Sequence, residues 1–579
     1  MLIRYTGQME PGQVREALGR ILGSRSFHQS ERMSRFLTFC TDHVLRGEGG
    51  KLKEYVIGTA VFDRKEDYDP RMDPIVRVEA RRLRAKLKEY YEGPGKHDHV
   101  LIELPVGTYA PVIRMRGQEA KRETSIAVLP FQNLGREADD EYFSDGLTEE
   151  LIHALTRVQG LRVLAWPSAA RLRGREEDIG GIREQLKVDV ILRGSVRRAG
   201  NQVRITVQLV DAATGQYLWS ESYHRRLRDL LAIQEEIAGT IVSTLKLALS
   251  PGKSMMRRFT NLECYNLCLK GRFLANQRTR DALRRSIQCY EEAVALDADC
   301  ALAYSGIADG YTLLADYGLL APGEAMLRAK AAAQRALELE PLSGEAHASM
   351  ALIRSHYDWN WEESERLYLR AIELNPGYAT AHYWYALDYL AVLRRFDEAF
   401  SEVEAAHRLD PLSALILEGC GYVHTLNRDY DRAIAGYQRV LDLDPTFYKA
   451  HASMGRAHAM AGRYKEALAL LEKALTLAGV APTIVAAIGQ VSALAGDRLR
   501  AEGCRKMLEE IARQQHVPAT CFALIHLGLG EIPAALDQIE RAVENHEFAV
   551  VSMGAHPLYD PVAEEPRFQQ ALRRVGLSR

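Results

Sequence analysis

Three regimes of hydrophobic patterning follow one another along the 579 residues, and each predicts its own kind of structure. In the first, apolar residues recur at helical spacing. Residues 31–46 put Met33, Phe36, Leu37, Cys40 and Val44 on one face, and residues 52–62 predict a second, short apolar helix. Residues 73–91 place Val76, Ala80, Leu83, Leu87 and Tyr90 together, with Pro74 at the first helical position, where its missing N–H costs nothing. Residues 11–23 also read as helical. Two short runs, 100–104 and 108–113, flank Pro105-Val106-Gly107 and predict a hairpin. The second regime alternates strands and helices. Strands are predicted at 125–131, 161–166, 188–200, 201–212 and 216–226, and helices at 143–158, 178–187 and 229–249. Gly200-Asn201 and the turn at 211–215 supply hairpin chemistry, so one mixed sheet with helices packed on it is expected.

The third regime repeats. ALELEP, AIELNP, AHRLDP and VLDLDP close successive units with prolines at 341, 376, 411 and 445, in steps of 35, 35 and 34. That is the period of the tetratricopeptide repeat, a helix pair closed by a proline. Tyr290 and Ala293, Tyr368 and Ala371, Ala399 and Ala406, and Ala433 and Tyr437 are where paired helices should approach closely. Gly421 and Gly455 occupy the tight contact in the first helix. The unit between 299 and 341 is stretched by an insertion, and residues 480–579 continue as degenerate helical pairs with a terminal cap. Stacked pairs make a superhelix whose inner face, drawn from the first helices, suits a peptide or partner helix. His347, Tyr383, Tyr385 and His451 are candidates for that face.

Charge singles out the head. Residues 1–116 hold 21 Lys and Arg against 16 Asp and Glu in a chain of net charge −2, so the remainder is acidic. Arg77, Arg81, Arg84 and Lys88, at i, i+4, i+7 and i+11, line a stripe beside the apolar face of helix 73–91, and this geometry turns Arg82 away from them. A cationic helix followed by a hairpin predicts a winged helix that places its recognition helix in a DNA major groove.

The segment VRVEARRLRAKL resembles the recognition helix of the OmpR/PhoB-type winged-helix DNA-binding domain, and ELPVGTYAPV resembles its wing. By position, Arg81, Arg82 and Arg84 match that family's arginines that meet DNA. The candidate DNA-binding set is therefore Arg77, Arg81, Arg82, Arg84, Lys88 and Thr108. Two departures stand out: residues 11–23 look helical where the family opens with a small sheet, and Pro105 replaces a wing arginine. IAVLPFQNL, EYFSDGLTEELIHAL and ILRGSVRRAGNQVRITVQLVDAATGQYLWSESY resemble the TolB-like N-terminal domain that accompanies bacterial adenylate-cyclase and tetratricopeptide proteins. In those proteins a catalytic domain would precede the TolB-like domain. Here the winged helix takes that place, so cyclase activity is not expected.

No other chemistry is assembled along the sequence. Asp145 and Glu149-Glu150 read as carboxylates favouring a helix start, and Gly180-Gly181 lacks the spacing and lysine of a phosphate loop. The eight cysteines form no CxxC pair. Cys264 and Cys268 share a helix face with no third ligand at zinc spacing, so neither a metal nor a cofactor is expected. No run approaches the ~20 apolar residues that span a bilayer, and no signal peptide opens the chain, which predicts a cytoplasmic protein with no membrane partner. The expected organisation is a multidomain chain. A winged helix (1–116) and a linker (117–124) precede an α/β TolB-like domain (125–250), followed by an all-α tetratricopeptide solenoid (260–550) and a cap (551–579). The function read from it is a bacterial transcriptional regulator, not an enzyme. It would bind double-stranded DNA through the head, as a homodimer on repeated half-sites, and a protein or peptide through the repeats. The alternative is a signalling scaffold whose winged helix is a protein contact.

Overall fold

The computed structural model describes residues 11–24, 27, 30–46, 52–65, 68, 73–96, 98–104, 109–115, 124–135, 140–158, 160–226, 230–245, 261–277, 279–479 and 481–577. The chain divides into two compact units, residues 1–122 and 123–579.

The first unit holds helices α1 (Pro11–Leu22), α2 (Glu31–Leu45), α3 (Glu54–Val61) and α4 (Ile75–Glu92), then strands β1 (Val100–Glu103) and β2 (Val112–Met115). The strands pair antiparallel, Val100 opposite Met115 and Glu103 opposite Val112. Every apolar position predicted on the α2 and α4 faces is buried, around a core that includes Phe27, Phe36, Ile57, Leu83, Ile102 and Ile113. Two expectations shift. Helix α4 starts at Ile75, and Pro74 caps it from outside while Asp73 Oδ1 accepts the Ile75 N–H at 3.1 Å. The second strand begins at 112 instead of 108, because Pro111 has no N–H to give a ladder. The hairpin is tied to α4 by Tyr91, whose hydroxyl accepts the Ile102 N–H at 2.7 Å. Residues 105–108, the predicted turn and Thr108 among them, lie outside the described residues.

The second unit opens with a mixed sheet. Strands β3 (Thr124–Val128), β4 (Gln132–Asn133), β5 (Leu161–Val163), β6 (Val190–Ala199), β7 (Gln202–Asp211) and β8 (Tyr217–Arg226) are ordered β5-β3-β6-β7-β8, with β4 beside β6. Strand β3 runs parallel to β5 and β6, and β6, β7 and β8 form an antiparallel meander. The meander turns as its sequence requires: Gly200 has φ +58°, and Asp211 Oδ1 accepts the Ala213 and Thr214 N–H groups ahead of Gly215 at φ +71°. Helices α5 (Asp140–Thr156), α6 (Trp166–Ala170), α7 (Ile179–Leu186) and α8 (Leu230–Thr244) accompany the sheet. The strand predicted over 161–166 stops at 163, since Pro167 suits the first turn of α6.

Eight helix pairs follow among the described residues. They are α9/α10 (Leu262–Asn276, Arg280–Leu296), α11/α12 (Ala301–Asp316, Pro322–Leu339), α13/α14 (Gly344–His356, Trp361–Leu374), α15/α16 (Ala379–Tyr385, Phe396–Leu409), α17/α18 (Ala414–Leu426, Tyr430–Leu443), α19/α20 (Tyr448–Met460, Tyr464–Ala478), α21/α22 (Pro482–Leu494, Arg498–Ala512) and α23/α24 (Ala519–Leu529, Ile532–Glu544). A wide helical turn, Ala386–Ala391, extends α15. Close approach within a pair rests on missing side chains: a Cβ on Gly421 would stand 2.5 Å from the Tyr437 ring, and one on Gly455 2.9 Å from Leu471. Two tight turns, Phe548–Ser552 and Pro557–Val562, lead to a last helix, α25 (Pro566–Val575).

Sheet and repeats share one packed unit. Tyr265 and Leu269 of α9 belong to the sheet's core, and Gln234 donates to the Tyr265 hydroxyl at 2.8 Å. A second seam joins α6 to the loop after α16. There the Ala165 N–H donates to the Leu409 carbonyl (2.9 Å), and the Ser168 N–H to Asp410 Oδ1 (2.9 Å). The Leu412 N–H donates to Ser168 Oγ (2.7 Å), while the Ser168 hydroxyl itself donates to Asp410 Oδ1.

Candidate nucleic-acid interface

Helix α4 decides which cations face outward. Its buried set is Val76, Glu79, Ala80, Leu83, Leu87 and Tyr90. At 100° per residue the opposite direction passes through Arg81, Ala85 and Lys88, flanked by Arg77 on one side and Arg82 on the other. Arg81 is exposed and makes no hydrogen bond or ion pair among the described residues. The Lys88 side chain is 75% exposed, with Glu92 at 3.8 Å, and that of Arg82 is 64% exposed, with Glu79 at 2.8 Å.

The remaining two cations are partly committed to the fold. Arg84 is half-buried, and its Nε donates to the Leu104 carbonyl at the end of β1 at 2.8 Å. Arg77 Nε donates to both Glu54 oxygens, at 2.8 and 3.0 Å, and Glu54 also accepts the Tyr109 hydroxyl at 2.7 Å. The Arg77 hydrogen bond holds the Glu54 carboxyl below its usual range and raises the Arg77 guanidinium, and burial raises the Tyr109 hydroxyl. Of the expected stripe of Arg77, Arg81, Arg84 and Lys88, Arg84 alone is half-buried, at the hairpin junction, and Arg82, turned away from the stripe, is exposed on the other flank of the helix.

In the second unit the acidic cluster also differs from expectation. Helix α5 begins at Asp140, so Asp145, Glu149 and Glu150 lie inside it and cap nothing. Asp145 accepts Arg173 at 2.6 Å, and Glu150 accepts Arg272 of α9 at 2.7 Å. Burial pushes Glu149, near Arg272, up to about 7. Glu149 and Glu150 thus hold Arg272 and fasten α5 to the repeats, while Asp145 pairs with the exposed Arg173 within the sheet domain.

Along the repeats, successive first helices touch one another, which marks the inner side of the stack. The expected lining residues are occupied with packing. Tyr385 donates to Glu365 at 2.9 Å, His451 Nε2 meets the Pro445 carbonyl at 3.0 Å, His347 Nδ1 meets the Ser343 carbonyl at 2.7 Å, and Tyr383 fills the space over Gly419. That inner side also holds the chain's own C-terminal stretch. The Phe548–Ser552 turn packs on α11 and α13, with Phe548 stacked on His356 at 4.0 Å, and the Trp361 indole donates to the Val575 carbonyl at 2.8 Å. Sequence reasoning missed this occupant, for which the only sign is the aromatic and histidine content of residues 546–559.

Comparison with known proteins bears on the second unit. Residues 122–240 match the second domain of HilA/YgeH-like transcriptional regulators, and residues 360–414 and 424–482 match tetratricopeptide repeats. Over 325 residues the chain is 31% identical to "Putative adenylate cyclase 3" of Rhizobium meliloti, covering 53% of this chain and 48% of that one. Over 299 residues it is 23% identical to the transcriptional regulator HilA of Salmonella typhimurium, covering 50% of this chain and 51% of that one. The chain therefore spans about half the length of these relatives. Among solved structures, Pseudomonas aeruginosa PilF is 18% identical over 40% of this chain and 96% of that one, at a TM-score of 0.30, too low to bear on the fold. The relative named for a cyclase corrects one expectation: the reading of this chain as not an enzyme does not stand beside it. Among the described residues no helix is long and apolar enough to cross a membrane. The chain carries a HilA/YgeH-like transcriptional-regulator domain followed by tetratricopeptide repeats.

Proposed function

We propose that this chain is a bacterial transcriptional regulator acting in the cytoplasm. Residues 1–116 would be a winged helix of the OmpR/PhoB type that binds double-stranded DNA, joined by 117–124 to a TolB-like domain over 125–250. A repeat solenoid over 260–550, capped by 551–579, takes a protein or peptide partner. The observation that carries this reading is the outward ridge of Arg81, Arg82 and Lys88 on a helix braced by a hairpin, ahead of a HilA/YgeH-like domain. A helix presenting cations on the face away from its core is what a major groove admits, and phosphate neutralisation supplies most of the affinity. Arg77, Arg81, Arg82, Lys88 and Thr108 are assigned to DNA. Arg84 is assigned to the junction that positions the wing. On repeated half-sites two copies would bind as a pair.

The test is fluorescence anisotropy of the full chain with fluorescent duplexes. Lys88→Ala should weaken binding about equally on every duplex and lower the salt slope by about 1. Arg81→Ala should cost roughly 1–3 kcal/mol on a preferred sequence if it reads a base edge. Folded variants that bind every duplex as the wild type does would sink the assignment.

A further inference from the structure

The cysteine pair that stood alone on its helix face gains a third member in the fold. Cys264 and Cys268 lie one turn apart on α9, and Cys300, 32 residues after Cys268, is the residue that caps α11. The three sulfur atoms lie within 4.8 Å of one another, and those of Cys268 and Cys300 are 3.6 Å apart. Cys264 and Cys268 are fully buried and Cys300 is 5% exposed. The other five cysteines take no part in the group.

A disulfide has its sulfurs at about 2.0 Å, so the close pair is not one. Bonds of about 2.3 Å from one central atom to three sulfurs would instead set the sulfurs roughly 3.8–4.0 Å apart. The observed spacing brackets that value, and rotation about the Cα–Cβ bonds can close the difference. Three features select among possible centres. The donors are all sulfur, which favours soft ions. Among the described residues no fourth cysteine, histidine or carboxylate joins the group, and all three cysteines are buried. Zinc, which takes four ligands, is poorly served. The nearby buried charge, Arg272, is already matched by Glu150 at 2.7 Å, so a centre adding little net charge is preferred.

We propose that Cys264, Cys268 and Cys300 form a binding site for a soft ion satisfied by three sulfur ligands. Two sources share this chemistry. Arsenite would exchange its three As–O bonds for three As–S bonds; the thiol protons leave with the hydroxyls as three waters, no electrons move, and the centre is neutral. Copper(I) would displace thiol protons to solvent and bind as a monovalent cation, with one sulfur free to stay protonated. Either would clamp α9 to the start of α11. Since α9 also carries Tyr265 and Leu269 into the sheet's core, the clamp would reach the HilA/YgeH-like domain directly.

The experiment is native mass spectrometry of the reduced full chain with sodium arsenite, with copper(I) buffered by a chelating competitor, and with zinc. The expected result is one arsenic per chain with the loss of exactly three hydrogens, or one copper withheld from the competitor, and no zinc retained under the same competition. Arsenic binding without copper assigns the trivalent source, and the reverse assigns the monovalent one. Cys264→Ser, Cys268→Ser and Cys300→Ser should each lose the three-hydrogen adduct or the copper, whereas Cys420→Ser should keep both. If a serine variant fails to fold by circular dichroism, the hydrogen count on the wild type still decides. An arsenic adduct lacking only two hydrogens, adducts surviving in all three variants, or binding of neither ion would overturn the proposal.

Discussion

Asp410 closes one of the tetratricopeptide units, yet its carboxylate is spent on the sheet domain. It is 3% exposed and accepts the Ser168 N–H and hydroxyl, with Ser413 adding a further side-chain hydrogen bond. Burial outweighs those donors and pushes its pKa up to about 6, against about 3.9 for an unperturbed aspartate. The sign follows from linkage. The folded state holds the proton more tightly, so this group's stabilisation is complete below about pH 4 and is lost as pH rises through 6. Two units correspond to about 3 kcal/mol of destabilisation at pH 8 relative to the protonated form. Asp410→Asn keeps the acceptor for Ser168, turns its new amide toward Ser413 and carries no charge. It should therefore exceed the wild type by only about 1 kcal/mol near pH 4.5 and by up to about 3 kcal/mol at pH 8. Asp410→Ala, which also lacks the charge, should fall about 1–3 kcal/mol below Asp410→Asn at either pH, because the Ser168 donors are left buried without an acceptor. The assay is urea denaturation of the full chain, followed by far-ultraviolet circular dichroism at pH 4.5, 6 and 8. Parallel pH profiles for the wild type and Asp410→Asn, or a larger loss for Asn at pH 8 than at pH 4.5, would refute the reasoning.

Other substitutions probe separate parts of the account. Gly421→Ala sets a methyl 2.5 Å from the buried Tyr437 ring and should cost about 1–3 kcal/mol in urea denaturation; no loss would mean the helix pair is looser than described. Arg272→Ala leaves Glu149 and Glu150 buried without their cation and should cost roughly 3–5 kcal/mol, with a loss under about 1 kcal/mol contradicting the buried pairing. Arg84→Ala should lower the melting temperature of the first unit by removing the donor to Leu104, whereas Arg81→Ala should leave it unchanged; equal effects would erase the distinction between bracing and outward cations.

The sequence carries period well and partnership poorly. Helix α4, the strand alternation of β6 to β8 and the proline steps are legible because each is a local spacing of apolar residues or turn formers. Displacement of β2 to Val112 is legible too, in Pro111, which has no N–H to give a ladder. The sorting of cations on α4 was not. A helical wheel gives directions but cannot show that Glu54 holds Arg77 or that a β1 carbonyl holds Arg84. Longer separations leave no periodic trace at all. Ser168 meets Asp410 across 242 residues, Trp361 meets Val575 across 214, and Cys300 completes the sulfur cluster from the next helix pair. The acidic run at 145–150 shows the same limit, since its residues read as caps until the arginines facing them are placed.

The central claim, that the outward ridge of α4 meets DNA, is tested most directly by the salt dependence of duplex binding by the full chain. With Arg81, Arg82, Lys88 and Arg77 neutralising three to four phosphates, log K against log salt should slope between about −2.7 and −3.6, from roughly −0.9 per contact. Arg81→Ala combined with Lys88→Ala should bring the slope down by nearly 2. A folded chain that binds no duplex even at low salt, or a slope untouched by those two substitutions, would contradict the account.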